Sequence, residues 1–151
     1  MANCNAMRPK LLTFLFWLFC VNAFLPLGAL SQEKGEVATA PASQQLSLAQ
    51  ALMCEEIKNH APHNQAIVFS VTNGSTSCFT SFDPVPEKTY IYHNWFYRDK
   101  LTTRIKLFLR PPRWSTFSRI QLREADKGPW RVEITDRKGA LFCIVRFSIT
   151  D

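Results

Sequence analysis

Residues 89–122 constrain this chain most: TYIYHNWFYR-DK-LTTRIKLFLR-PPRW-STFSRIQL. Side chains that alternate with a period of two belong to strands, because successive Cβ atoms leave a sheet on opposite faces. Over 89–98, Ile91, His93, Trp95 and Tyr97 face one way, and Tyr90, Tyr92, Asn94 and Phe96 the other. Large residues on both faces predict a central strand. Asp99-Lys100 is the expected turn. Residues 101–110 then set Leu101, Thr103, Ile105, Leu107 and Leu109 against Thr102, Arg104, Lys106, Phe108 and Arg110. That is the pattern of a half-buried antiparallel strand with a basic outer face. Pro111-Pro112 stops it, since proline cannot donate to a ladder. A third strand covers 114–122, and the short connections predict an antiparallel meander.

The remaining segments follow the same rule. Residues 46–57 (LSLAQALMCEEI) suit a helix by propensity, yet alternate as a strand over their second half. Residues 58–65 read as a turn-rich loop. The runs 66–71 and 76–82 flank Asn73-Gly74, a hairpin signal because both residues tolerate positive φ. Asp83-Pro84-Val85-Pro86 breaks the second run. Later, Trp130, Val132 and Ile134 point inward, as do Leu141, Cys143, Val145, Phe147 and Ile149, with a hairpin turn between them. Seven or eight short strands with turns every eight to twelve residues predict an all-β fold. The expected form is an immunoglobulin-like antiparallel β-sandwich over 46–151, with a small barrel as the alternative.

The N-terminus is of another kind. Arg8 and Lys10 precede an apolar run over 11–25 (LLTFLFWLFCVNAFL), followed by small residues. A basic flank, a short apolar stretch and small residues describe a secretory signal. The run over 11–30 also has about the twenty residues that span a bilayer, with the basic flank held inside. Residues 1–30 are therefore expected to form a hydrophobic helix, as cleaved signal or retained anchor. Either places the domain outside the cytoplasm, in the periplasm or tethered to the inner membrane. Residues 31–45 (SQEKGEVATAPASQQ) lack aromatic residues and period, as a disordered linker does.

The chain carries 18 basic and 12 acidic residues, a formal charge of +6. Leaving out residues 1–40 keeps 15 basic and 10 acidic, so the folded part alone is positive. A modest excess favours anionic partners, and outside the cytoplasm these are envelope glycans, lipid headgroups or acidic proteins, with nucleic acid disfavoured by compartment. Arg104, Lys106, Arg113, Arg119 and Arg131, interleaved with Trp114, are the candidate binding residues, with His93 and Trp95 beside them. Arginine pairs bidentately with carboxylate or phosphate, and aromatic faces stack on flat ligands. The plainer reading is a solvated basic face that limits edge aggregation.

Of five cysteines, Cys54 and Cys78 fall on neighbouring expected strands and are the candidate disulfide in an oxidising compartment. Cys143 alternates with core residues. Cys54, His60 and His63 would make three soft-metal ligands, but a closed zinc site needs a fourth, so neither metal nor cofactor is expected. His93 with Ser115 or Ser118 is the only candidate catalytic pair, and no nucleophile-elbow context supports it.

His93 and Trp95, Arg113-Trp114-Ser115, Ser118, Gly128-Pro129-Trp130-Arg131-Val132, Gly139 and Phe147-Ser148-Ile149 occur in that order. With these the chain resembles, over roughly its last sixty residues, a bacterial family known as domain of unknown function 2914. The resemblance implies an exported or membrane-tethered β domain with no assigned activity or catalytic residues. The expected function is a non-catalytic binding or structural module of the cell envelope. A periplasmic hydrolase using His93 and a nearby serine, and a periplasmic metal-binding protein, are the alternatives.

Overall fold

The strand that the aromatic alternation predicts lies, as expected, inside a sheet. In the computed structural model, which describes residues 45–151, β1 is Leu48–Lys58, β2 Ala61–Gln65, β3 Val68–Ser70, β4 Ser75–Phe82 and β5 Thr89–Tyr97. Then follow β6 Lys100–Leu109, β7 Trp114–Gln121, β8 Gly128–Asp136 and β9 Leu141–Thr150. Two 3-10 turns, Val71–Asn73 and Glu124–Asp126, are the only helical pieces among the described residues. The expected N-terminal helix over 1–30, and all of the 31–45 linker but its last residue, lie outside the described residues.

The strands form two sheets, in the orders β2-β1-β4-β7 and β3-β9-β8-β5-β6. All pairs are antiparallel except β3 with β9. Strand β5 is internal, held by β6 on one side and β8 on the other. Ala51, Met53, Cys78 and Phe82 from the first sheet join Ile91, Trp95, Val132, Ile134, Val145 and Phe147 from the second in one core. This is the all-β, two-sheet architecture that the alternation requires.

Several local expectations give way. Residues 58–65 are not a loop: Asn59 and His60 take φ of 50° and 61° and close a two-residue turn, and Ala61–Gln65 pairs back on β1. Asn73-Gly74 does not join a hairpin. Gly74, at φ 73°, caps a 3-10 turn, and the chain passes there from β3 in one sheet to β4 in the other. The β5–β6 turn is Arg98-Asp99, one residue earlier than expected, with φ of 43° and 66°.

The meander is likewise interrupted. After Pro111-Pro112 the chain crosses to the first sheet, where β7 pairs with β4 from Phe82↔Trp114 to Ser75↔Gln121. Strand β6 is thus left as a sheet edge. Of its expected inward row only Leu109 is buried, Ile105 and Leu107 pack partly on the core, and Leu101 is 49% exposed. Leu141 is exposed too, because the β8–β9 register shifts at Ile134/Thr135. Truncating Ile134 to Ala should cost about 2–5 kcal/mol by leaving a cavity, whereas Leu101→Ala should stay within about 0.5 kcal/mol. Urea denaturation of the two variants checks this; equal losses would contradict the assigned edge.

Candidate functional site

His93 and Trp95 point into the space between the sheets, and neither exposes any surface. A buried imidazole must find partners on both nitrogens. Its Nδ1 lies 2.8 Å from Ser118 Oγ and its Nε2 3.2 Å from Thr80 Oγ1. Trp95 Nε1 donates to the same Ser118 Oγ at 3.0 Å, and Thr80 Oγ1 donates to the Thr116 carbonyl at 3.5 Å. One arrangement gives every donor an acceptor. Indole N–H goes to Ser118 Oγ, Ser118 O–H to Nδ1, Nε2–H to Thr80 Oγ1, and Thr80 O–H to the carbonyl. It requires a neutral His93 protonated on Nε2. Each bond in such a chain polarises the next.

Burial alone pushes the His93 pKa down to about 3. The expected His93–serine pairing is therefore real, and Ser118 is the serine, but its chemistry is not that of a nucleophile. Ser118 is 4% exposed, among the described residues no carboxylate bonds either ring nitrogen, and Asp99, near in sequence, bonds Arg131. The pair ties β5 to β4 and β7. It also takes His93 and Trp95 out of the set of residues able to touch a ligand.

The expected Cys54–Cys78 bridge is not formed. Both thiols are free and buried. The register gives the reason: Cys54 lies opposite Ser77 and Cys78 opposite Met53, so the two side chains leave the sheet on opposite faces. Cys78 joins the core between the sheets, while Cys54 packs with Leu52 and Phe79 and donates to Ser77 O at 3.7 Å. Desolvation pushes Cys54 up to about 11 and raises Cys78 as well. Among the described residues no group of three His, Cys, Asp or Glu side chains converges on a point that would hold a metal.

The basic candidates do not share one face. Arg119 lies on the outer side of the first sheet, its Nε donating to Ser77 Oγ at 3.1 Å and its guanidinium 6.0 Å from the Phe117 ring. Arg113 and Trp114 follow the double proline between the sheets, with Arg110 5.5 Å from the Trp114 ring. Arg104, Lys106 and Arg131 do come together, on the outer face of the second sheet. There Arg104 sits 4.2 Å over Tyr92, Lys106 3.8 Å over Tyr90, and Arg131 4.2 Å over Phe96. Two of these contacts are diagonal across the β5–β6 ladder, where Tyr92 pairs with Lys106 and Tyr90 with Phe108. Diagonal neighbours on one face are within reach of long side chains. Phe108, 65% exposed, ends the row. The rings Tyr90, Tyr92 and Phe96 were not among the expected binding residues. Their outward alternation was visible, but the cross-strand register that seats cations on them was not.

Because His93 is neutral when folded and has an ordinary pKa near 6.5 when unfolded, the unfolded chain binds the extra proton. Stability is full above about pH 6.5 and should fall by about 1.4 kcal/mol per unit as pH drops toward about 3. The difference in acid slope between wild type and His93→Gln, from urea melts at successive pH, measures this. Parallel slopes would contradict it. Electrophoresis and thiol alkylation should find Cys54 and Cys78 unreactive in the native state and both reactive once unfolded, with or without reductant.

Residues 88–149 match the model of a family described as protein of unknown function (DUF2914). The match covers β5 to the penultimate residue of β9 and includes His93, Trp95, Ser118 and the cation-bearing outer face, but not Thr80 on β4. A comparison with curated proteins returns no match.

Proposed function

We propose that this chain is a non-catalytic binding module of the bacterial cell envelope, exported or held at the inner membrane by residues 1–30. The observation that carries this reading is the outer face of the second sheet. Three cations lie over three outward rings across β5, β6 and β8. A guanidinium or ammonium seated on a ring is held in place while its free N–H groups still face outward. Such a face suits an extended anionic partner: an envelope glycan, a lipid headgroup layer or an acidic protein surface.

Three further points support it. The strand order, with β3 parallel to β9, fits an immunoglobulin-like sandwich, a scaffold that presents faces and end loops to partners. Fold alone assigns no activity; the chemistry of the face does. His93, hydrogen-bonded to Ser118, is sealed in the core. The basic flank and apolar run of the N-terminus supply the export expectation.

Full-length protein should be retained by bacterial envelope fractions at low salt and released as salt screens the contact. An Arg104→Gln/Lys106→Gln double variant should lose retention tenfold or more, with an unchanged melting temperature. Retention indifferent to both salt and the double substitution would overturn the reading. Repeating the assay on protease-treated fractions and on extracted lipid vesicles separates protein, lipid and glycan partners.

A further inference from the structure

At the end of β5, β8 and β9 the same sheet carries a shallow cavity of about 140 Å³ lined by Phe96, Trp130, Asp99 and three arginines, Arg98, Arg131 and Arg146. Two of the arginines are direct cross-strand partners, Arg131↔Arg146. Like charges directly opposite one another destabilise a ladder. The third is brought in by the β5–β6 turn. Arg98 donates its backbone N–H to Pro129 O at 3.3 Å, and its guanidinium lies 5.1 Å from the Tyr97 ring. It passes over Gly128, where a Cβ would stand 3.6 Å from both Nε and Nη2. Gly128 has φ 127°, a conformation side chains rarely adopt. The run Gly128-Pro129-Trp130-Arg131 thus supplies the bed for one arginine, two lining residues and a second arginine.

The guanidiniums are oriented but not used up. Arg131 gives Nε–H to Glu133 Oε1 at 2.8 Å and one Nη1 hydrogen to Asp99. Five N–H groups are available, so three remain. Arg146 makes no ion pair among the described residues. Three arginines and a single carboxylate, Asp99, line the cavity. A planar carboxylate occupies one arginine fork, whereas a terminal phosphoryl group offers three oxygens and a charge of about −1.5 to −2 at neutral pH. The cavity has room for such a group rather than for a length of polymer.

We propose that this cavity binds the terminal phosphoryl group of a phosphomonoester, held between Arg98, Arg131 and Arg146. The site shares Arg131 and Phe96 with the cation-bearing face but does not depend on Arg104 or Lys106. Calorimetric titration of the full-length protein with glycerol 3-phosphate tests it. Saturable binding to one site is expected, weakened tenfold or more by Arg146→Gln and by Arg98→Gln, and unchanged by Arg137→Gln in the β8–β9 turn. Glucuronate should bind at least tenfold more weakly; binding as tight as glycerol 3-phosphate would overturn the phosphoryl assignment. No saturable binding, or binding that both arginine variants leave within threefold, would overturn the site. Vesicles containing phosphatidic acid distinguish the source. Tenfold tighter binding than the soluble ester marks a lipid headgroup, and equal binding per phosphate marks a soluble ligand. The Arg104→Gln/Lys106→Gln variant should bind glycerol 3-phosphate normally, so loss of envelope retention and loss of phosphate binding are read separately.

Discussion

His93 sits where the two sheets meet, and its imidazole spans the gap between them through two hydroxyl groups. Ser118 on β7 and Thr80 on β4 take its two nitrogens, and the Trp95 indole completes the set. Removing any one partner strands another buried polar group, at roughly 1–3 kcal/mol. Apolar contacts in the same core are tolerant of exchange by comparison, because they have no direction. The polar row therefore fixes how β5 is placed against β4 and β7, and with it which side chains of the second sheet turn outward. No buried side-chain nitrogen or oxygen among the described residues lacks a partner.

That placement divides the molecule's chemistry. Groups with reactive potential, the imidazole and the Cys54 and Cys78 thiols, are desolvated and held in their neutral forms. Groups with binding potential lie outside, and unequally. The second sheet carries a row of cations over rings and, at one end, three arginines around a small cavity. The first sheet carries the Arg119–Ser77 contact beside Phe117. On the proposed reading the protein binds through its surface, and the second sheet is the better equipped of the two.

Alternation in the sequence was enough for the strands of the core and for their inward faces: Ile91, Trp95, Val132, Ile134, Val145 and Phe147 are buried as their parity requires. It was not enough for neighbours. Nothing in a period of two says that β7 leaves the meander for β4, so Leu101 and its row read as core while lying on an edge. Parity alone also left open the one-residue offset that separates Cys54 from Cys78 and removes their bridge. His93 and Trp95 carried the family resemblance and looked like ligand contacts. Their burial depends on the facing sheet, which local sequence does not encode. Arg98 and Arg146, far apart in the sequence, line one cavity only because β5, β8 and β9 are adjacent.

The protonation of one ring carries most of this account, and long-range nitrogen–proton NMR correlation of the His93 imidazole reads it directly. The arrangement described here predicts a neutral ring at pH 5, protonated on Nε2, with Nδ1 showing the shift of an acceptor. An imidazolium at that pH, or a ring titrating near 6.5, would mean that His93 is open to solvent and that the sheets are not joined in this way.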